Sequence, residues 1–330
     1  FHIQQENREQ TKYKIKITDK LGRVCYLGGF KKKDTIFSDY HTQIKTFAPT
    51  PPGWWRGNLH THTLWSDGNG YPEIVADWYK QHGYHFLALS DHNILSQGEK
   101  WIDATKNVKN KDASEALQEY RESFGDDWVE QRVVQGKVMV RLKPLSEFRH
   151  LFEEPGRFMM IQSEEISDVF GTPPTDIHIN ATNLRNLIPP QKGNSVFEVM
   201  QNNVNAVLAQ RRETGQAMFP HINHPNGFLW RFHDPKFDNR HGITAQDIAK
   251  LQGERFFEVH NGCPGLNNHG DSQHIGTERL WDIILTLRLA ELKGEIIYGL
   301  GVDDAHQHHR GSDRFDPGTA WVVVRSKFLT

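Results

Sequence analysis

Apolar and polar positions along this 330-residue chain fall into short strand-like runs separated by helical patterns. Residues 13–18, YKIKIT, alternate with a two-residue period, DKLG makes a turn, and RVCYLGGF reads as a second strand, so a β-hairpin is expected near the start. The following KKKD reads as a solvated turn. FAPTPPGWW (47–55) is proline-rich and stiff, which places a boundary near residue 50. Residues 1–50, a hairpin segment and linker, are too few to build a good core alone. The main domain is expected over 51–330.

Within that domain the alternation is regular. GNLHTH (57–62) is a strand candidate, and YPEIVADWYKQHG (71–83) reads as a helix with Ile74, Trp78 and Tyr79 on one face and Gly83 as its stop. Further strand candidates are 85–92, 157–167, 176–184, 216–227, 254–262 and 295–306, with AWVVVRS near the end. Helical patterns at 195–215 and 277–294 separate several of them. Such alternation predicts βα units forming a parallel sheet or barrel. Residues 94–157 interrupt the rhythm with a polar helix (ASEALQEYRESFG) and a hairpin (WVEQRVVQGKVMVRL). An insertion of that length reads as a lid or binding loop.

Composition narrows the function. Hydrophobic residues make up 37% and charged residues 24%, as in a globular enzyme-sized chain. The net charge of -2 offers no basic field for large nucleic acids, and no apolar run is long enough to span a membrane. Cys25 and Cys263 cannot build a disulfide framework and read as ordinary thiols. The chain opens on Phe1 rather than Met, which reads as a trimmed start and favours an exported protein over a cytoplasmic one. The oligomeric state is not legible.

The 19 histidines are the unusual count. Nearly every strand candidate of the main domain ends in ligand-type residues: His60 and His62 with Asp67 in the next loop; Asp91 and His92; Glu164 and Glu165; His178; His221 and His224; Glu258, His260 and Asn261; Asp303, Asp304 and His306. Residues i and i+2 of a strand share a face, so His60 projects with His62 and Asp304 with His306. In parallel α/β folds the strand ends meet at one rim. Carboxylates crowded there without a cation would be forced to take up protons. A mixed imidazole and carboxylate set without thiols suits Zn, Mn or Fe, and predicts two to three divalent ions.

These motifs resemble the PHP (polymerase and histidinol phosphatase) superfamily of metal-dependent hydrolases. LHTHTLWSDG is similar to its first motif, ALSDHN to its second, SEEIS to the glutamate segment, HIN and NHP to later histidine motifs, and GVDDAH to the last. The resemblance covers about residues 54–306 and implies a distorted (βα)7 barrel with a trinuclear centre. Carried over residue by residue, it implies that His60, His62, Glu165 and Asp304 hold one ion. Glu165 would bridge to a second held by His178 and His224, and Asp67, His92 and His306 would hold a third. Glu165 is chosen over Glu164 because it stands two residues before the serine of EIS. Asp304 is chosen over Asp303 for its spacing from His306. His221 is read as supporting or core, Asp91 as orienting His92 or a neighbour, and His308 and His309 as exposed loop residues. WWRGNLHTHTLWSDG, the LSDHN…GEKW run and VRLKPL also resemble the longer branch that includes carbaryl hydrolases.

The expected activity is hydrolysis of a small phosphate ester by metal-bound hydroxide, with His60, His62, Glu165, Asp304 and His306 at the reacting centre. Lys100, Arg231, Arg240 and His241 are candidate substrate-binding cations. Trp65, Trp101, Phe228 and Trp230 are candidate aromatic walls. The alternatives are a carboxylic or carbamate ester hydrolase using the same centre, and a non-catalytic module, which the presence of all nine expected ligands disfavours.

Overall fold

The computed structural model describes residues 3–5, 12–18, 24–31, 53–106, 113–172, 174–227, 243–272, 274–308 and 316–329. Arg231, Arg240, His241, Phe228, Trp230 and His309 lie outside them. The chain divides into two compact units, Phe1–Ala48 and Pro49–Thr330. In the first, β1 (Ile3–Gln5), β2 (Lys12–Thr18) and β3 (Val24–Lys31) form an antiparallel sheet in that order. The β2–β3 pair is the hairpin of the sequence pattern, with β1 as an additional edge strand.

The second unit begins with β4 (Trp54–Asn58) and β5 (Phe86–His92). An inserted antiparallel trio follows: β6 (Lys100–Asp103), β7 (Gln131–Val134) and β8 (Lys137–Leu142). Then come β9 (Met159–Phe170), β10 (Thr175–Thr182), β11 (Phe219–Ile222), β12 (Phe256–Asn261), β13 (Tyr298–Val302) and β14 (Val322–Arg325). The main sheet runs β13-β12-β11-β10-β9-β5-β4-β14. Beyond its paired strands, Thr61 bridges Ala305; His62 N donates to Ala305 O at 2.9 Å and Asp304 N to His60 O at 3.0 Å. These bonds draw the extension of β4 to that of β13, making a nearly closed, barrel-like α/β sheet.

The barrel is not wholly parallel, contrary to the expectation from alternation. β10 is antiparallel to both β9 and β11, and β14 is antiparallel to β4. The cause lies between Phe170 and Thr175, where GTPP leaves no room for a crossover helix, so the chain must turn back as a hairpin.

The helices show the expected end signals. The helix Val196–Thr214 starts at Ser195, whose side chain accepts from Glu198 N, and stops at Gly215 with φ 67°. Pro72 opens the helix Pro72–Gln81. The pattern at 277–294 becomes an α-helix, Thr277–Thr286, that widens into a π turn, Leu287–Glu291. No helix among the described residues is long and apolar enough to cross a membrane.

Two apolar layers enclose the sheet. Ile177, Ile179, Ile222 and Phe257 pack outward against Val199, Met200, Val204, Ile248, Leu280 and Ile284 of the helices. Phe86, Ala88, Leu300 and Val302, with Met159, Ile161, Phe219 and Phe256, form a separate apolar cluster. Side chains alternate along a strand, so His92, Glu165, His221 and Glu258 continue the same faces as Ala88, Ile161, Phe219 and Phe256. The interior is therefore apolar at one end and ionisable at the other.

The insertion is anchored by its own core. Leu117, Tyr120, Val140 and Leu142 pack with Leu64, Trp65, Tyr71 and Ile74. Tyr120 stacks on Tyr71 with centroids 4.1 Å apart, and buried Glu73 accepts from Tyr120 Oη at 2.7 Å and Trp128 Nε1 at 3.1 Å.

Candidate metal centre

Four ligand atoms meet where β4 and β13 are drawn together. His60 Nε2 lies 3.1 Å from His62 Nε2, 3.3 Å from Asp304 Oδ1 and 3.4 Å from Glu165 Oε2. His62 Nε2 lies 3.1 Å from Asp304 Oδ1 and 3.3 Å from Glu165 Oε2. His60, His62 and Asp304 lie close enough to share one ion, and Glu165 Oε2 stands against the two imidazole nitrogens of that set. Glu165 Oε2 is buried and has no hydrogen-bond donor aimed at it, although His92 Nδ1 also lies 2.9 Å away. A carboxylate oxygen ringed by imidazole nitrogens in that way calls for a cation, and the donor set fits a divalent metal.

The other groups adjoin this set. Glu165 Oε1 lies 3.0 Å from His178 Nδ1 and 3.3 Å from His224 Nε2. Asp67 Oδ1 lies 3.4 Å from His306 Nε2, 3.6 Å from His62 Nδ1 and 3.7 Å from His92 Nε2. The His62 and His306 rings stack at 4.0 Å. All nine side chains read from the motifs thus lie in one connected network. His62, Asp67, His92 and His306 form one set that can hold an ion; His60, His62 and Asp304 form another, and His92, Glu165 and His178 a third.

Local structure explains the placement. Thr63 O accepts from Ser66 N and Gly68 N, closing a tight loop that returns Asp67 over His62. A Cβ on Gly68 would sit 2.6 Å from the His62 backbone, so only glycine fits there. Asp91 accepts from Thr63 N and Thr63 Oγ1, both at 2.8 Å, and from Ser66 Oγ at 2.6 Å. It fixes that loop rather than His92, because adjacent strand residues face opposite ways; His92 Nδ1 instead meets Ser167 Oγ at 2.6 Å. His178 reaches the rim from the first half of β10, because that strand runs backwards and pairs His178 with Ser167.

The paired acids separate by face. Glu164 points outward, accepts from Ile188 N at 2.8 Å, and burial pushes its carboxyl up to about 8. Asp303 takes no part in the cluster and is bound by Tyr79 and residues 318–320. β13 ends at Val302, so the strand-spacing argument for Asp304 and His306 does not apply. Asp304 instead turns into the site through a positive φ of 49°, and His224 has φ 21°, conformations that are uncommon outside glycine.

Electrostatics follow from this crowding. Burial would raise Glu165, but His92, His60 and His178 hold it well below the usual carboxylate range. Burial opposes ionisation of Asp304 too, yet His60, His62 and His306 keep it well below its ordinary value. Burial, with His306 and His92 nearby, pushes His62 down to about 3, so its ring stays neutral with a lone pair to give. His60 is drawn the other way: burial would lower it, but Asp304, Glu258 and Glu165 raise it well above its usual value.

Some placements differ from expectation. Lys100 Nζ donates to Trp65 O, and Trp65 is buried in the insertion core, so neither stands as a substrate contact at the opening. Trp101 is half-buried beneath the Arg132 guanidinium, 3.9 Å from its ring centre. His308 is buried, not exposed: its ring lies 3.2 Å from His62 O and 3.4 Å from Thr61 Oγ1, because the chain after His306 folds back behind the first motif. Two buried amides complete the frame, Asn261 from the strand-end residues of the sequence pattern and Asn223 from outside them. Asn223 Nδ2 donates to Glu165 Oε1 at 2.7 Å, and Asn261 Nδ2 to Asp304 Oδ2 at 3.1 Å.

No protein-family model and no curated protein matches the sequence. The chain is similar to a two-domain protein from Bacteroides vulgatus described as containing a predicted PHP-like metal-dependent phosphoesterase, at 15% identity and a TM-score of 0.38, over 78% of this chain and 55% of that one. This chain therefore spans about half the length of that protein. It is also similar to a Bifidobacterium adolescentis protein named as a candidate metal-dependent phosphoesterase, at 13% identity and a TM-score of 0.37, over 83% of this chain and 93% of that one. At these scores the two are proteins that this chain resembles, one of them PHP-like by description, and the chemistry of its site rests on its own side chains.

Proposed function

We propose that this chain is a metal-dependent hydrolase with the PHP-type arrangement that its motifs resemble, acting on a small phosphate ester. One observation carries the reading: buried Glu165 Oε2 stands among imidazole nitrogens with no donor aimed at it. His60, His62, Glu165 and Asp304 would hold one ion; Glu165, His178 and His224 a second; Asp67, His92 and His306 a third. Two to three divalent ions such as Zn, Mn or Fe would supply activation of water and neutralisation of charge on the ester.

The chain's own residues set access and orientation. Asp67 and His92 are the more open members, with side chains 41% and 28% exposed, while His60, His62 and Glu165 are sealed from solvent. Substrate therefore approaches over Asp67 and His92, and water is excluded behind Glu165. Asn223 and Asn261 each hold one carboxylate oxygen and so fix the directions of the Glu165 and Asp304 carboxylates. The side chains described at this opening are imidazole and carboxylate, so an anionic ester would depend on the ions for its charge balance. Three adjoining ion sites suit a phosphoryl group, whose several oxygens can each face a cation.

The test is a paired assay of p-nitrophenyl phosphate and p-nitrophenyl acetate on one metal-loaded preparation, with and without chelator. Chelator-sensitive turnover of the phosphate supports the proposal. Turnover of the acetate alone moves the centre to carboxylic or carbamate esters, and turnover untouched by complete metal removal refutes the metal-dependent reading.

A further inference from the structure

We propose that Glu258 is a positioning residue of this centre: it holds the Nδ1–H of His60 and so turns the His60 Nε2 lone pair toward the ion. The inference rests on the metal-centre reading above. His60 Nδ1 lies 2.6 Å from Glu258 Oε1, a hydrogen-bond separation and shorter than the 3.1–3.4 Å from His60 Nε2 to the ligand atoms around it. His221 Nε2 lies 3.3 Å from the same oxygen. Glu258 Oε2 accepts from His224 N at 2.7 Å and from Asn261 Nδ2 at 2.8 Å.

Two buried carboxylates therefore stand on opposite sides of His60 in different conditions. Glu258 is met by donors on both oxygens, whereas Glu165 Oε2 has none. A carboxylate already filled by N–H donors is a poor ion ligand and a good anchor. His60, His221 and Glu258 are close enough to suggest an ion site of their own, but the 2.6 Å contact and the filled oxygens point instead to hydrogen bonding. A carboxylate on the far nitrogen of a ligating histidine fixes the tautomer and strengthens the ligand. Glu258 reaches further: it grips the His224 backbone directly and Asp304 through Asn261. It thus sets the attitude of three groups from three strand ends.

The test combines zinc competition against a chromogenic chelator with nitrogen-15 histidine NMR of the zinc-loaded protein. Glu258→Gln is expected to weaken the tightest zinc site on the order of 10- to 100-fold. The wild-type spectrum is expected to show His60 protonated at Nδ1, with zinc on Nε2, and that signal to be absent in His60→Gln. The wild-type spectrum decides the matter even if Glu258→Gln does not fold. Unchanged zinc affinity in Glu258→Gln, or zinc on His60 Nδ1, overturns the role of Glu258 alone. A wild-type chain that takes up no zinc overturns the metal reading on which it rests.

Discussion

Asp303→Ala is expected to destabilise this chain strongly while sparing every proposed ion ligand. Asp303 is fully buried and accepts from Tyr79 Oη at 2.8 Å, Gly318 N at 2.9 Å, Thr319 N at 2.7 Å, Thr319 Oγ1 at 2.9 Å and Ala320 N at 2.9 Å. Thr319 is only partly buried in these contacts and can be rehydrated. Tyr79 Oη and the amides of Gly318 and Ala320 are buried and would each lose a short hydrogen bond, Tyr79 Oη keeping Thr61 Oγ1 at 3.5 Å. Each such bond lost from a buried donor costs up to about 1–3 kcal/mol. The recovered cost of burying the carboxylate offsets part of this, leaving roughly 3–5 kcal/mol. At about 1.4–2 °C per kcal/mol for a chain of 330 residues, the melting midpoint should fall by roughly 4–10 °C. Urea unfolding in chelator reads the effect without ions. Asp304→Ala under the same conditions should lose less than half as much, and should instead abolish tight metal binding. The reasoning is refuted if Asp303→Ala unfolds with wild type, or if the two aspartates exchange effects.

Other perturbations give sharp outcomes. His62→Ala removes a shared nitrogen ligand, and should cut ester hydrolysis by at least about 10³-fold with loss of bound metal by elemental analysis; retained metal and activity would place the centre elsewhere. Lys100→Ala should change KM by less than about threefold, because its ammonium already serves Trp65 O, and should cost roughly 1 kcal/mol of stability; a large selective rise in KM would make it a substrate contact after all. Glu130 is held down to about 2 by Arg141 and then Lys143. Its folded pKa is depressed, so this stabilisation is present above the unfolded value of about 4.3 and fades as pH falls toward 2. Glu130→Gln should flatten the acid limb of the stability profile in that window while leaving activity at neutral pH; an unchanged limb would show the pair to be idle.

Much of the fold is visible in the sequence because its punctuation is local. Ser195 and Gly215 bracket one helix, and Pro72 opens another. The reversal of β10 is written in the short GTPP link, but counting alternation alone hides it. The site is legible as a set of chemistries and less so as a set of directions. MMIQSEEIS belongs to a strand buried on both faces, so apolar alternation could not say whether Glu164 or Glu165 faces inward. Asp91 and His308 show the same gap, since their partners at Thr63, Ser66 and His62 come from another part of the chain. Glu258 follows FF and precedes V and reads as one more strand-end acid; its special place comes from His60 and His224, which reach it from other parts of the chain. Asn223 carries no pattern at all, and Asn261 reads only as one more strand-end polar group, because an amide becomes informative only once its buried partner is known.

The most direct test of the central claim is metal content per chain, by elemental analysis of protein purified without chelator and again after reconstitution with Zn, Mn or Fe. The account predicts two to three ions per chain, falling in Glu165→Gln, where the carboxylate facing most of the imidazoles is lost. A folded wild-type chain that holds no ion after reconstitution would contradict it.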